Sequence, residues 1–459
     1  MHEVTGDREA VLRLMKDTMA HFSRGGAKPV KRGARSASLA ARAKASTERD
    51  QIVEKLDEGY QREAERKTAR AAGLSVGRER AVEGWYAPRE QAVALFQAAM
   101  DEYLSQGTGA TAPGKTGSKG KARSASLGAG APAPSKAGLD SFYKPAKTGT
   151  SVATAIGDQY TNLDPRWVEV AWEKAKLLFR GKHAFRTHKS MSDFRFRMAN
   201  ETTVAIVGDW GGGNAAAQAV AAQIRRLAPT HVIHLGDVYY AGTPKEVEDR
   251  FLKFWPTPAA PGLSFALNSN HEMYSGGYGY FDTTLKRFKQ PASYFSLAND
   301  HWRFIGLDTG YIDHDLNAEQ TEWLLGQFKG ANPKTILLSH HQLFSAYEST
   351  DASRLQSKVR PLLEGSKIYG WIWGHEHLCV VYQPHLGVKA ICLGNGCFPY
   401  KAPATAPKVP VQWLDNRIGR GSPEFPGTHT FALLRLRGPE IQMEFIDQDG
   451  NSASPLTWT

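Results

Sequence analysis

The stretch Val204-Ala-Ile-Val-Gly-Asp-Trp-Gly211 joins an apolar run of strand-like composition to an acidic residue in a glycine-rich turn. The same arrangement recurs at Val232-Ile-His-Leu-Gly-Asp237, so two apolar runs in succession end in Gly-Asp. Helical patterns near 214–227 and 244–254 follow these two runs. Strands that alternate with helices are typical of a parallel sheet, in which the strand ends meet at one edge.

Three further apolar runs end in residues that can bind metals. The third ends in Asn270-His-Glu272, the fourth in His340-His341, and the fifth in Gly374-His-Glu-His377. A single Gly-Asp is usually a turn, and a single His-x-His is usually a surface or core feature. Five such endings in sequence order, with oxygen and imidazole donors and no cysteine, predict a shared site for first-row transition metals.

The second half of the chain is rich in strand patterns, including Trp302–Leu307, Val388–Leu393 and Thr430–Leu436. We therefore predict an α/β (α+β) fold in which two sheets form an αββα sandwich, with a catalytic domain at 160–459. A basic, mostly helical N-terminal region at 1–104 and a flexible Gly/Ala/Ser/Pro/Lys linker at 105–150 precede it. The N-terminal helices are predicted at 7–22, 47–71 and 87–104.

The excess positive charge lies entirely in the N-terminal part of the chain. The net charge of the whole chain is +11, but residues 1–200 carry +13 and residues 201–459 carry −2. This asymmetry argues against one uniformly basic nucleic-acid-binding domain. Two interpretations of the basic region stay open. It is either a solvated tail with helices packed against the catalytic domain, or a binding region for an anionic partner, namely nucleic acid, a membrane surface or an acidic protein.

The sequence also bears on where in the cell the protein is located. No run of about 18 apolar residues occurs, which predicts no transmembrane segment. The first ten residues are acidic and polar, unlike a secretory signal. Three cysteines are too few, and odd in number, for a disulfide framework. A cytoplasmic location is the expectation, with export that needs no N-terminal signal as the alternative.

The order of the five motifs resembles that of the calcineurin-like metallophosphoesterases, most closely the purple acid phosphatase branch. The matching motifs are Asp209-Trp-Gly211, Gly236-Asp-Val-Tyr-Tyr240, Ser269-Asn-His-Glu272, Leu337-Leu-Ser-His340 and Gly374-His-Glu-His377. The resemblance covers about residues 200–450 and none of the first 150. Glycine at position 211, where most of the superfamily has histidine, together with Tyr240, is what indicates this branch.

The resemblance implies two metal ions and the residues that hold them. The first ion would be bound by Asp209, Asp237, Tyr240 and His377. The second would be bound by Asp237, Asn270, His340 and His375, with Asp237 bridging the two ions. A tyrosinate favours a trivalent ion, so Fe(III) is expected at the Tyr240 site and Fe(II), Zn or Mn at the second. This ferric assignment depends on Tyr240, rather than Tyr239, facing the site.

The resemblance implies a phosphoesterase that hydrolyses phosphomonoesters of small molecules by attack of metal-bound hydroxide. His271, next to Asn270, would protonate the leaving group or hold the phosphate, and His341 is the second catalytic candidate. One alternative is a phosphodiesterase acting on nucleotides, nucleic acid or lipid head groups. An alternative of another class is a binding or delivery protein whose phosphoesterase domain is secondary.

Two positions depart from the family pattern. Ser269 replaces the usual glycine before Asn270, and Ser349 stands where family members often have a further histidine near the phosphate. The histidines without partner spacing are predicted to be structural, among them His234, His314 and His429.

Overall fold

The computed structural model describes residues 8–23, 50–62, 90–107, 171–330, 333–348, 352–419 and 427–459. Ser349 and most of the predicted linker lie outside these residues, as does the basic segment 24–44. The linker and the anionic partner of the basic region therefore stay predictions.

Strands and helices alternate through the first half of the sandwich, and strands dominate the second. The strands are β1 (Arg195–Arg197), β2 (Glu201–Val207), β3 (His231–His234), β4 (Ser264–Ala266), β5 (Phe295–Ala298), β6 (Trp302–Gly306), β7 (Lys334–Ser339), β8 (Gly370–Trp373), β9 (Cys379–Tyr382), β10 (Lys389–Leu393), β11 (Val411–Leu414), β12 (Thr430–Arg437), β13 (Glu440–Asp447) and β14 (Ser452–Trp458). They form a six-stranded sheet in the order β14-β13-β12-β2-β3-β4 and an eight-stranded sheet in the order β1-β5-β6-β7-β8-β10-β9-β11.

The helices lie in the N-terminal region and between the strands. They are α1 (Arg8–Ser23), α2 (50–62), α3 (Gln91–Gly107), α4 (Ala215–Leu227), α5 (Pro244–Glu246), α6 (Asn270–Met273), α7 (Leu285–Phe288), α8 (Ala318–Gly326) and α9 (Ser353–Glu364). Two π-helical segments extend this set: Val247–Leu252 continues α5, and Tyr280–Thr284 leads into α7. A helical segment at 171–175 runs into a 3₁₀ turn at Lys176–Phe179.

The inner faces of the two sheets pack on each other and form one apolar core. The six-stranded sheet contributes alternate residues such as Val204 and Ile206 of β2, and the eight-stranded sheet contributes Phe304, Ile336 and Ile372. All five side chains are fully buried. Alternation of this kind places one face of each strand in the core. The predicted two-sheet sandwich is therefore confirmed.

The parallel pairing of the strands places the strand ends that carry the motifs at the same edge of each sheet. In the six-stranded sheet β2, β3 and β4 are parallel neighbours, and in the eight-stranded sheet β6, β7 and β8 are parallel neighbours. Parallel strands deliver the loops at their carboxyl ends to the same edge of a sheet. The loops that follow β2, β3, β4, β7 and β8 therefore come together at one edge of the sandwich.

The described N-terminal helices pack against the sandwich. One apolar cluster joins α1, α2 and α3 to the segment around Ala171 and Ala175. A second cluster places Ala94, Leu95 and Ala98 of α3 in the same core as residues of the β3–α5 loop. The helices predicted at 7–22 and 87–104 are thus present, as α1 and α3. Their predicted grouping into a separate N-terminal region stays a prediction, although α3 shares its core with the sandwich.

Polar contacts reinforce the packing of α3. The Asp101 carboxylate lies 2.6 Å from the guanidinium of Arg250, whose side chain is only 6% exposed. Glu102 pairs with Lys174 at 2.6 Å. Gln91 donates a 2.8 Å hydrogen bond to the carbonyl oxygen of Tyr274. A guanidinium this deeply buried needs a paired carboxylate, because an unpaired buried charge is strongly destabilising.

Among the residues that the structure describes, no helix has the length and apolarity required to cross a membrane.

Candidate metal centre

The first group of donors surrounds the hydroxyl of Tyr239. This oxygen lies 2.9 Å from Oδ2 of Asp237, 3.0 Å from Nε2 of His377 and 3.3 Å from Oδ1 of Asp209. The His377 and Asp209 atoms are themselves 3.4 Å apart. All four side chains are buried. The loops after β2, β3 and β8 thus bring two carboxylates, an imidazole and a phenol to one point.

The second group of donors surrounds Nε2 of His340. This nitrogen lies 3.0 Å from Oδ1 of Asn270, 3.1 Å from Nδ1 of His375 and 3.2 Å from Oδ1 of Asp237. The four side chains are at most 8% exposed. The loops after β3, β4, β7 and β8 supply these groups, as the order of the motifs predicts.

Asp237 belongs to both groups through different oxygen atoms. Its Oδ2 faces the hydroxyl of Tyr239, and its Oδ1 faces the imidazole of His340. Burial alone would raise the pKa of this carboxyl, but the neighbouring imidazoles and the Ser269 hydroxyl hold it well below its ordinary value. An ionised carboxylate with two oxygens aimed at two donor groups has the geometry of a bridging ligand.

The backbone is strained at four of these donor positions. Asp209, Asp237, His375 and His377 have φ angles of 54°, 78°, 69° and 57°. Non-glycine residues rarely adopt these left-handed conformations, and each costs on the order of 1–3 kcal/mol. Such strain clusters at functional sites, where the surrounding structure holds it in place.

The second group fits a cation for a specific reason, which is that its acceptors face one another. Nδ1 of His340 lies 3.0 Å from the carbonyl oxygen of Leu235 and therefore carries the ring proton. Burial lowers the pKa of His340 to about 4, so the ring is neutral and its Nε2 presents a lone pair. That lone pair points at the Asn270 and Asp237 oxygens, which are also acceptors. A bound metal ion would relieve the repulsion between these acceptors, because each of the three atoms can serve as its ligand.

Tyr274 orients the amide of Asn270 for this role. The Asn270 amide nitrogen donates a 2.8 Å hydrogen bond to the hydroxyl of Tyr274. The amide oxygen is thereby left facing His340. Partners of this kind, which fix a ligand from behind, affect metal affinity nearly as much as the ligands themselves.

Ser269, the residue that departs from the family pattern, holds two parts of the centre together. Its hydroxyl donates to Oδ1 of Asp237 at 2.5 Å and also contacts the Glu272 carboxylate. The same oxygen accepts a 3.1 Å hydrogen bond from the backbone nitrogen of His271 and so caps α6. The departure thus adds a hydrogen bond to the shared carboxylate.

The structure places the hydroxyl of Tyr239, and not that of Tyr240, among the donors, whereas the family spacing implies Tyr240 as the ligand. The Tyr240 ring points the other way and lies under the guanidinium of Arg250, 4.9 Å from its carbon. The Tyr240 backbone nitrogen is held by the Glu246 carboxylate at 2.5 Å, and its carbonyl oxygen contacts His271. Because the chain leaves the strand pattern after β3, side-chain alternation no longer decides which tyrosine faces the site.

Gly211 is required by close packing between two loops. A Cβ atom at this position would lie 2.5 Å from the carbonyl oxygen of Asp237 and 2.7 Å from Cα of Val238. No side chain fits there without moving the loop that carries Asp237. The glycine that marks the phosphatase branch in the sequence therefore allows the loops after β2 and β3 to approach.

His271 lies at the edge of the first donor group. Its Nδ1 is 2.6 Å from the carbonyl oxygen of Tyr240, which fixes the ring and leaves Nε2 on the side of Asp237, 3.8 Å from Oδ2. The ring also packs edge-on against Tyr239, with 4.6 Å between centroids. His271 thus lies beside the donors of the first group, and its catalytic role stays a prediction.

His341 lies beside the second donor group. The sequence did not predict which side chains surround it. Its Nδ1 is 3.1 Å from the hydroxyl of Thr309, and its Nε2 is 3.5 Å from a carboxylate oxygen of Asp313. The ring of His314 lies 3.8 Å from it, centroid to centroid. His314, predicted to be structural because it lacks partner spacing, thus lies next to the centre. The parallel pairing of β6 with β7 is the signal that could have brought these loops together.

Comparison with known proteins agrees with this geometry. Residues 202–379 match the family model described as calcineurin-like phosphoesterase. Tartrate-resistant acid phosphatase type 5 of Sus scrofa is 24% identical over 287 residues, which cover 54% of this chain and 83% of that protein. The Homo sapiens protein of the same name is 24% identical over 289 residues, covering 54% and 87%.

Among solved structures, a dimetal phosphatase from Danio rerio aligns at 14% identity with a TM-score of 0.36 and covers 56% of this chain and 98% of that one. The matched region 202–379 contains all the residues of the two donor groups. The similarity to calcineurin-like phosphoesterases therefore extends over the part of the chain that carries both donor groups.

Proposed function

We propose that this chain is a dinuclear-metal phosphoesterase that hydrolyses phosphomonoesters of small molecules. The observation that carries the proposal is the buried Asp237 carboxylate, whose two oxygens face two separate donor groups. The similarity to tartrate-resistant acid phosphatases supports the monoester preference.

The donor sets suit different ions. The first group would hold its ion through Asp209, Asp237, Tyr239 and His377. A phenolate is a hard anionic ligand, so we assign Fe(III) to this group, now through Tyr239. The second group would hold Fe(II), Zn or Mn through Asp237, Asn270, His340 and His375, since its imidazole, amide and carboxylate donors suit all three ions.

Two ions bound in this way supply a water nucleophile near neutral pH and neutralise charge on the phosphoryl oxygens. The protein's own residues fix the geometry: Leu235 and Tyr274 orient the ligands from behind. No side-chain nucleophile is required.

His271 is the better placed of the two predicted catalytic histidines. Its Nδ1 is occupied by the Tyr240 carbonyl oxygen, so its Nε2 is the atom that would contact a phosphoryl oxygen or pass a proton to the leaving group. The Nε2 of His341 instead faces the Asp313 carboxylate.

The substrate class is tested by assaying the purified, metal-loaded full chain on chromogenic phosphate monoesters and diesters. We expect kcat/KM to be at least tenfold higher for the monoester. A higher value for the diester would support a phosphodiesterase acting on nucleotides, nucleic acid or lipid head groups and would overturn the monoester proposal.

The metal assignment is tested by Asp237→Asn, which weakens the ligand shared by both groups. We expect turnover to fall by more than about 10²-fold, the scale of losing one group that stabilises developing charge. Asp249→Asn, at an exposed carboxylate paired with Lys245, is the matched control and should retain activity. Undiminished turnover of Asp237→Asn would contradict the assignment of Asp237 as the shared metal ligand.

A further inference from the structure

A third cluster of metal-binding side chains lies beside the two donor groups. Nδ1 of His314 lies 3.0 Å from Oδ1 of Asp313, and Nε2 of His341 lies 3.5 Å from the same oxygen. The nitrogens of His314, His341 and His375 can all lie within 4.8 Å of one another. His375 already presents its Nδ1 to His340, so we regard it as a neighbour of this cluster rather than a member.

Two of the three donor separations are close to the edge of a tetrahedral coordination sphere. With metal–ligand distances of about 2.0–2.2 Å, tetrahedral zinc separates its ligand atoms by roughly 3.3 Å. The two measured separations, 3.0 and 3.5 Å, lie on either side of this value. Two imidazoles and one carboxylate are also a common zinc ligand set, and three protein ligands leave a fourth position open.

An unsatisfied nitrogen points independently to a ligand. The side chain of His341 is fully buried, and its Nε2 has no hydrogen-bond partner among the described residues. Buried polar atoms are nearly always satisfied, so such a nitrogen calls for an explanation. The nearest charged group is Asp313, at a distance too long for a good hydrogen bond but suitable for two ligands of one ion.

The charge of the cluster favours a cation over a substrate phosphate. The Asp313 carboxylate faces both imidazoles and would repel a phosphoryl group at the same point. Its side chain is 69% exposed, whereas that of His341 is fully buried. The cluster therefore has one face in the protein and one open to solvent, which allows an ion to enter and leave.

We propose that Asp313, His314 and His341 form a third metal site, able to bind Zn²⁺ and exchangeable, next to the dinuclear centre. This proposal concerns residues outside the two donor groups and does not depend on the reaction that they perform.

The experiment counts bound zinc on the full chain by equilibrium dialysis against Zn²⁺ and elemental analysis. We expect about three ions per chain, one of them removed by a weak chelator that leaves the other two. His314→Gln and Asp313→Asn should weaken binding of that exchangeable ion at least tenfold. His301→Gln, at a partly exposed turn outside the cluster, is the control and should retain it.

The outcomes separate this proposal from the proposed function. A parent chain that binds only two ions, or a His314→Gln variant with unchanged zinc affinity, would overturn the third site. Asp237→Asn should weaken the tightly held ions while the exchangeable one remains. Because Asp313 is exposed, its variant keeps the test valid if His314→Gln fails to fold, which thermal unfolding would reveal.

Discussion

Tyr239 and Tyr240 are neighbours in the chain, but they face two different regions of the molecule. The Tyr239 side is a set of loops in which charged and polar donors lie within 3.3 Å of the Tyr239 hydroxyl. The Tyr240 side is an apolar core, which includes α3, around the buried ion pair of Arg250 with Asp101.

The contrast shows that the donors, and the apolar core against which their loops pack, come from different parts of the sequence. The donors all lie within the region that matches the phosphoesterase family, 202–379. The core includes α3, which lies about 100 residues before that region. One short loop after β3 carries both tyrosines. A substitution that alters the packing of Tyr240 against the core with α3 can therefore displace Tyr239 and the donors around it.

The largest expected effect comes from removing the α3 side altogether. Deleting residues 1–150 exposes the core around Tyr240 and leaves Arg250 without Asp101. Losing Leu95 from a core and breaking a buried ion pair together cost about 5 kcal/mol or more of the free energy of unfolding. We expect an insoluble or unfolded product in solubility and denaturant-unfolding measurements.

Deleting 111–150, within the predicted linker, is the control for that truncation and should change the free energy of unfolding by less than about 1 kcal/mol. A truncated chain 151–459 that folds and turns over like the parent would show that α3 is dispensable.

The two tyrosines themselves offer the sharpest test of the comparison. A ferric ion with a phenolate ligand absorbs visible light through charge transfer. Tyr239→Phe should therefore abolish the visible band of the iron-loaded protein, whereas Tyr240→Phe should retain it. The opposite result in absorption spectra would show that Tyr240 is the ligand, as the family spacing implies.

A smaller effect is expected at the ion pair that joins α3 to the sandwich. Asp101→Asn leaves the Arg250 guanidinium buried without its counter-charge, which should lower the free energy of unfolding by about 3 kcal/mol. Glu58→Gln breaks the exposed pair with Lys55 and should leave the free energy of unfolding nearly unchanged. If both variants lost the same free energy of unfolding in denaturant titrations, the buried pair of Asp101 with Arg250 would stabilise the protein no more than an exposed pair does.

The smallest expected effect concerns a buried histidine near the Tyr240 side. His234 packs against Trp210, Phe251 and Trp255, and burial lowers its pKa to about 3. Below about pH 6.5 the unfolded chain takes up a proton at this residue that the folded chain does not, so stability falls with falling pH. From pH 8 to pH 5 the loss from His234 is about 2 kcal/mol.

His234→Phe should remove that part of the pH dependence in unfolding measurements made from pH 8 to pH 5. The slope that remains would come from other buried histidines, among them His340, His341 and His429, whose pKa values burial also lowers. A variant that loses stability with acid as steeply as the parent would contradict the assignment.

The donor positions were predictable from sequence because each follows an apolar strand, and parallel pairing then fixes where the strand ends meet. Asp209, Asp237 and His340 are such cases. The choice between Tyr239 and Tyr240 was not predictable, since it depends on the path of an irregular turn that has no side-chain period.

Two other features depended on contacts between distant parts of the chain. The apolar pattern of α3 predicted a buried face but not the surface against which it packs. His314 lacked a spaced partner in its own segment, because His341 approaches it only through the pairing of β6 with β7. Local pattern indicates which side chains are buried or polar, while the partners of each follow from the tertiary fold.

The packing of α3 also bears on how this polypeptide can be divided. The sandwich and α3 are held together by an apolar core and a buried ion pair, and not only by the peptide chain between residues 107 and 171. A cut in that interval would leave two fragments with complementary surfaces. We therefore expect the molecule to behave as a split protein. Adding the shorter fragment, which contains α3, should restore the fold of the longer fragment.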